Sequence, residues 1–259
     1  GAAMATAVAV AKGRSGQYLY NVIGVELPTT EGVRKVQCIN RGEFPLSTVD
    51  KELISAIKDA SRRGNLTATV DQSIYSQADI IVVDVAQDIS LKGAKPNLDL
   101  SSLKEAIRTI GKTIEPETLV VIETTVPPGT CENVVVPILE SELRNRELPD
   151  DAVHVAHSYE RVMPGANYLD SIINYWRIFS GYTTEAANAC RIFLETVINT
   201  EKFPLTQLAS MTASETAKVL ENSYRAANIA FIDEWTKFSE RIGIDLHEVV
   251  EAIAMRPTH

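Results

Sequence analysis

Cysteine is scarce: Cys38, Cys131 and Cys190 stand far apart in 259 residues and form no C-x-x-C pair. That spacing argues against a zinc site and a disulfide framework, so no metal is expected, and it suits a reducing cytoplasm. Positive charge is in deficit, with 25 Lys and Arg against 34 Asp and Glu, a net charge of -9. Such a field repels nucleic acid and anionic membranes, so neither is an expected partner, although a local basic pocket for a phosphate ligand is compatible with it. No apolar run approaches the roughly 18 residues of a membrane span. The Ala-rich start GAAMATAVAVAKG lacks a basic leader and a Leu-type core, and no signal peptide is expected from it. Internal repeats and low-complexity linkers are also missing. The composition is 45% hydrophobic and 23% charged. That is ordinary for a globular chain long enough for one large domain, or one plus part of a second.

Apolar runs of strand length recur at 19–27, 65–70, 79–85, 118–125, 152–158 and 177–181. Continuous apolar strands fit a parallel sheet covered on both faces. Helical patterns separate them at 31–40, 50–63, 101–113, 130–146 and 183–197. Alternation of this kind predicts βαβ units and an α/β class, a Rossmann-like doubly wound, mostly parallel sheet. Ser101 or Ser102 is expected to cap one helix, Thr130 another, and Asp245 a third through a capping-box pattern with Glu248.

From 208 to 242 a single long helix is expected, without proline or internal glycine until Gly243 ends it. Leu220, Tyr224, Ala227, Phe231, Trp235 and Phe238 make an apolar stripe. Lys218, Asn222 and Arg225 make a polar one roughly opposite, which pattern alone reads as a solvated face. The division predicted is residues 1–206 as a dinucleotide-type α/β domain, and 207–259 as the central helix with the start of an all-α middle region. Both ends look cut. A doubly wound domain should begin on a strand, whereas this chain begins on a helix that is small and apolar on all sides.

Four features offer chemistry. Gly1 fits the last glycine of a G-x-G-x-x-G fingerprint, and Glu26 ends the strand YNVIGVE. An acid there would accept hydrogen bonds from ribose hydroxyls and repel a 2′-phosphate, favouring NAD over NADP, but it equally reads as an exposed surface acid. ETTVPPGT (123–130) follows a strand, and ligands of open α/β sheets bind beyond strand carboxyl ends. Thr124 and Thr125 would offer hydroxyls there, or the segment is simply a Pro-Gly turn. HSYERVMPG (157–165) follows another strand, and Glu160 is either a general base at a rim or half of a surface ion pair with Arg161. A Lys and an Asn one helical turn apart, Lys218 and Asn222, can jointly hold an oxygen that becomes negative.

The order of ETTVPPGT, SYERVMPG and ASETAKVLENSYRAANIAFIDE resembles the UDP-glucose/GDP-mannose dehydrogenase family. Its blocks read roughly S-T-V-P-x-G-T, S-P-E-R-x-x-P-G and A-E-x-x-K-x-x-x-N-x-x-R-A-x-x-I-A-F-x-N-E. The third block matches at Glu215, Lys218, Asn222, Arg225, Ile229, Ala230, Phe231 and Glu234. Weaker echoes at 39–46, 66–71 and 95–107 extend the resemblance over essentially the whole chain. Arg161, Met163 and Pro164 look more like the UDP-N-acetylhexosamine branch, such as UDP-N-acetylmannosamine, than the UDP-glucose branch.

The resemblance implies a four-electron oxidation of a sugar C6 alcohol to a carboxylate, with two NAD⁺ reduced and a cysteine trapping the aldehyde. Lys218 and Asn222 would hold the oxyanion, Thr125 an ordered water, and Glu160 would move a proton. Val85, Gln87, Thr124, Gly1 and Glu26 would line the cofactor, while Arg161 and Arg225 would contact the substrate. A cytoplasmic homodimer through the central helix is implied too. Three departures stand out: Tyr159 replaces a Pro, Asp233 an Asn, and Gln87 a Thr. The rest of the phosphate loop would precede Gly1, and the family's G-G-x-C-x-x-x-D would follow His259. None of the three cysteines sits in such a context, and Cys131, though at a helix start where a thiol's pKa can fall, reads as structural. A fragment without the nucleophile should not catalyse the reaction alone. UDP-glucose oxidation, a non-catalytic Rossmann-like binding protein and a two-electron hydroxyacid-type dehydrogenase remain the alternatives.

Overall fold

β-Branched residues favour a pleated, half-buried surface, and the runs VIGV, LTAT, IIVV and LVVI all form strands. The computed structural model describes residues 1–87, 89–90, 97–161 and 163–255. In chain order these form α1 (Ala2–Val10), β1 (Val22–Val25), α2 (Thr30–Asn40), α3 (Lys51–Arg63), β2 (Leu66–Thr69), β3 (Ile80–Val83) and the short β4 (Ile89–Ser90) and β5 (Asn97–Leu98). There follow α4 (Ser101–Gly111), β6 (Leu119–Ile122), a π-helical turn (Cys131–Val135) running into α5 (Val136–Asn145), β7 (His154–His157) and α6 (Tyr168–Ile173). β8 (Ile178–Gly181), α7 (Thr184–Val197), β9 (Thr206–Gln207), α8 (Met211–Ile242) and α9 (Leu246–Ala254) complete the order.

Packing divides the chain into two compact units, Gly1–Thr216 and the residues from Ala217 on. In the first, the main sheet runs β3-β6-β7-β8-β9. Its pairs are parallel except β7 with β8, where Ala156 faces Gly181 and His157 faces Ser180 in antiparallel register. β1 and β2 pair in parallel as a separate ribbon. The apolar runs suggested one sheet; the strands they form fall into two pieces, with β4 and β5 a third, antiparallel pair, because none of the described residues forms a strand between β1 and β3. A doubly wound order places a strand there.

β6 is buried at all four positions, as a strand covered on both faces must be. Its side chains alternate between two cores. Val120 and Ile122 join Leu103 and Ile107 of α4 and Leu139 and Leu143 of α5. Leu119 and Val121 join Met4 and Ala7 of α1 and Phe193 and Leu194 of α7. The small residues of α1 are buried almost all round, and Thr6 returns its hydroxyl to the Ala2 carbonyl at 2.9 Å, which removes the cost of burying it.

Two expected caps are corrected. Neither Ser101 nor Ser102 caps α4; the Ser101 N–H instead donates to Asp99 at 2.8 Å. Thr130 turns its hydroxyl back to the Pro127 carbonyl at 2.7 Å and caps nothing. Asp245 and Gly243 punctuate their helices as expected, although among the described residues Glu248 makes no capping-box bond back to Asp245. Asp245 accepts from the His247 N–H at 2.8 Å, and Gly243, at φ 76°, ends α8 in the left-handed region that glycine tolerates best.

Asp50 caps α3 through the Glu52 and Leu53 N–H groups at 2.8 and 3.0 Å, and its other oxygen accepts from the Leu169 N–H at 2.8 Å. One buried carboxylate therefore ties α3 to α6. Burial pushes its pKa up, but the N–H donors of Leu169, Leu53, Glu52 and Tyr168 outweigh that and hold it below 3.8. A lowered carboxyl pKa stabilises the fold above the unfolded value, and that contribution disappears as pH falls through the folded one. Asp50→Ala is expected to cost about 2–4 kcal/mol in urea unfolding at pH 7, and to flatten the acid side of the stability profile below about pH 4. A loss under about 0.5 kcal/mol would remove Asp50 from this role.

Candidate functional site

β3, β6 and β7 are mutually parallel, so their carboxyl ends share one edge. That edge receives residues 84–87, 123–130 and 158–161. Thr124 is buried there and joins the first two segments. Its hydroxyl donates to the Val83 carbonyl at 3.2 Å and accepts from the Val85 N–H at 2.8 Å. Thr125, the next residue, is exposed. Gln87 has both side-chain amide atoms shielded from solvent without a hydrogen-bond partner. Such a pair is costly unless something else satisfies it.

On the separate ribbon, Glu26 follows β1 half-buried, and Lys35 lies 3.5 Å from its carboxylate. A cleft lined by Pro28, Thr29, Glu31, Arg34 and Gln37 opens just beyond. Gly1 is exposed and lies beside Asp84, the residue after β3. The predicted cofactor residues of the first unit thus divide between Gly1, Val85, Gln87 and Thr124 around β3 and β6, and Glu26 on the ribbon.

The loop after β7 is braced at several points. The Ser158 N–H donates to the Ile122 carbonyl at 3.1 Å, and its hydroxyl reaches the Ile178 carbonyl at 3.1 Å. The Met163 N–H donates to Ser171, and Asp50 holds the Leu169 N–H where α6 begins. Tyr159 is wholly buried, while Glu160 and Arg161 are half-buried. Arg161 donates to the Tyr159 hydroxyl at 3.3 Å. Val162, part of the branch-defining stretch, lies outside the described residues, as do 95–96 and 256–259, on which other parts of the resemblance fall.

Three buried polar groups beneath this edge escaped sequence reasoning, because their partners are distant in the chain. Glu123 meets Arg177 at 2.9 Å, with side chains 1% and 2% exposed. His157 Nδ1 meets the Ser214 hydroxyl at 2.6 Å, and Ser214 meets Ser180 at 2.8 Å. Glu215, buried, accepts from the N–H of Gly129 and, at 2.7 Å, of Cys131, so it performs the capping expected of Thr130. In return Glu132 accepts from the Thr212 N–H at 3.1 Å and its hydroxyl at 3.0 Å, at the start of α8. Two helix starts therefore exchange carboxylates, each negative charge sitting at the positive end of the other's dipole. In the sequence these groups were marked by position alone: Glu123 opens ETTVPPGT, His157 opens HSYERVMPG, and Glu215 lies within the third family block.

Burial, and then Glu215, push the Cys131 thiol far above its ordinary range, the reverse of the lowering a helix start can give. Burial also pushes Cys190 up to about 12. All three cysteines are buried, and among the described residues no His, Cys, Asp and Glu group is arranged to hold a metal.

The second unit is the remainder of α8 with α9. Lys218 is half-buried there, and Asn222 and Arg225 are exposed. The apolar stripe is exposed too. Leu220, Tyr224 and Phe231 stand more than half open, and Phe231, Trp235 and Phe238 stack edge to face.

An open α/β sheet with polar turns gathered at its carboxyl edge is the layout of a dinucleotide-binding domain. The chain belongs to the UDP-glucose/GDP-mannose dehydrogenase family: residues 10–197 match its NAD binding domain and 212–259 its central domain. NAD is the cofactor of such a domain. A UDP-N-acetyl-D-mannosamine dehydrogenase of Pyrococcus horikoshii is 30% identical over 92% of this chain and 53% of its own length. That of Methanocaldococcus jannaschii is 29% identical over 92% of this chain and 50% of its own. The solved P. horikoshii enzyme superposes with a TM-score of 0.82 at 26% identity, covering 98% of this chain and 55% of that one. An NDP-N-acetyl-D-galactosaminuronic acid dehydrogenase of Methanosarcina mazei gives 0.79 at 28%, covering 98% and 51%. The chain spans about half the length of the curated relatives it matches. No helix among the described residues is long and apolar enough to cross a membrane.

Proposed function

We propose that the intact protein is an NAD-dependent UDP-sugar 6-dehydrogenase that oxidises the C6 alcohol of a UDP-N-acetylhexosamine, such as UDP-N-acetylmannosamine, to the uronic acid. The observation that carries this reading is the carboxylate exchange between Glu132 and Glu215. It fastens the Thr-rich turn to the first residues of α8, within Met211–Thr216. These are the elements the family resemblance assigns to substrate chemistry. Similarity to relatives named for N-acetylhexosamine derivatives favours that sugar class.

The residues suit NAD. The unpartnered amide of Gln87 and the Val85 backbone held by Thr124 supply polar contacts at the sheet edge, with Gly1 beside them. Glu26 supplies an acceptor for ribose hydroxyls. NAD, when bound, accepts the hydride from C6. Lys218 supplies positive charge to the oxygen that becomes negative, Asn222 donates to it, Thr125 anchors a water, and Glu160 moves a proton. Arg161 and Arg225 contact the substrate.

The exposed face of α8 and α9 supports a homodimer, since an apolar helix stripe in water needs a partner surface. Three buried, unpaired thiols fit a cytoplasmic setting. The test is stoichiometry in the intact protein. About two NADH per UDP-N-acetylmannosamine, abolished by thiol alkylation, is the expected outcome, with light scattering on the same preparation giving twice the chain mass. One NADH per substrate and no sensitivity to alkylation would indicate a two-electron enzyme; binding without turnover would indicate a non-catalytic protein.

A further inference from the structure

Tyr159 is the departure in the E-R loop that the resemblance leaves without a role. A large phenol has replaced a residue with no hydroxyl, and it is 0% exposed. Its ring rests 6.1 Å from that of His157, which is itself fixed to Ser214. Its hydroxyl accepts from the Arg161 guanidinium at 3.3 Å, and the same guanidinium lies 5.7 Å from the Tyr159 ring centre. A second ring, Tyr175, stands 5.9 Å away. Tyr175 is braced in turn by Trp176, with ring centres 5.6 Å apart, and Trp176 by Phe203 at 5.1 Å.

Both guanidinium-to-ring distances lie within the roughly 6 Å over which an aromatic quadrupole attracts a cation. A long, rotamer-rich side chain on a loop loses entropy when it binds a ligand, and holding it beforehand removes part of that cost. Arginine suits such a place, because its planar face meets rings while its edge keeps donors for an anionic oxygen.

We propose that Tyr159, together with Tyr175, is a positioning residue that holds Arg161 in the geometry it uses against the UDP-sugar. The inference rests on the reading of Arg161 as a substrate contact. Proline at this position offers neither an aromatic ring nor a hydroxyl, so a chain carrying it must hold its arginine by other means.

The test is a cycle in the intact protein with UDP-N-acetylmannosamine as substrate, comparing Tyr159→Phe, Arg161→Ala and the double variant. Phenylalanine keeps the buried ring and removes only the hydroxyl, and the melting temperature reports whether packing survives. Tyr159→Phe is expected to raise KM about threefold to tenfold with kcat within about twofold, the pattern of a lost ground-state contact. Arg161→Ala raises KM further, and adding Tyr159→Phe to it raises KM by less than the same change does in the wild type, because the effect of the phenol on KM runs through the arginine. Tyr175→Leu repeats the KM pattern if the second ring contributes. The inference is overturned if Tyr159→Phe leaves KM unchanged while Arg161→Ala raises it, or if the phenylalanine variant has the same effect in both backgrounds. If Arg161→Ala itself leaves KM unchanged, the substrate reading of Arg161 fails first, and the single variant alone identifies that case.

Discussion

Replacing Lys218 with alanine in the intact protein is expected to lower kcat by about two to three orders of magnitude, with a far smaller change in KM. As the C6 hydroxyl gives up its proton ahead of hydride departure, negative charge develops on its oxygen, and a fixed ammonium stabilises that charge more than it stabilises the neutral alcohol. Its contribution therefore falls mainly on the transition state. Asn222 sits one helical turn further along α8 and donates from a neutral amide, so Asn222→Ala should cost less than Lys218→Ala. Lys218→Arg is expected to recover only part of the rate, because a planar fork does not place its charge where a compact ammonium did. A Lys218→Ala enzyme retaining more than about a tenth of the wild-type kcat would remove Lys218 from the chemistry.

That prediction depends on α8 beginning where it does, and the way it begins shows what sequence patterns capture. The 3.6-residue period and the terminating Gly243 marked the helix as expected over 208–242, and it runs from Met211 to Ile242. The apolar runs marked the strands in the same way, although each strand is shorter than its run. The 118–125 run keeps only Leu119–Ile122 in β6, because the N–H groups of Glu123 and Thr124 both turn to the Val83 carbonyl. Local rules found the Asp245 cap and missed the cap at Cys131, whose carboxylate comes from Glu215, 84 residues away. A threonine at a helix start has the right chemistry, but a buried carboxylate at the positive end of a helix dipole does the same work with charge.

The candidate site divides along the same line. Thr124, Thr125 and Glu160 were legible because a strand end followed by a turn has a recognisable pattern. Tyr159 read as an anomaly, and its burial against His157 and its bond to Arg161 appear only in three dimensions. The apolar stripe of α8 looked like a packing face, and in the chain it is exposed. Periodicity shows that a face needs a partner without naming the partner.

The buried pair beneath the site gives the largest expected effect on stability. Arg177→Met in the intact protein is expected to cost about 3–5 kcal/mol at pH 7, because it leaves the Glu123 carboxylate buried and uncompensated. Glu123 follows β6 and Arg177 precedes β8, so the pair bridges the two strands that flank β7. Burial already pushes the Glu123 carboxyl up against the lowering influence of Arg177, with Asp84 and Glu160 adding to the rise. Removing the arginine takes away that opposing influence. A carboxyl whose folded pKa lies above its unfolded 4.5 binds more protons when folded, so stability falls as pH rises between the two values. The penalty of Arg177→Met should therefore shrink as pH is lowered toward about 5, where Glu123 can fold protonated. Adding Glu123→Leu removes the stranded charge and should recover most of the loss at pH 7, since an apolar pair of similar volume often replaces a buried ion pair without net cost. Urea unfolding of the single and double variants at pH 5 and pH 7 measures all of this. A double variant no more stable than Arg177→Met, or a penalty that grows toward acid, would mean that the arginine stabilises the sheet by packing and not by charge.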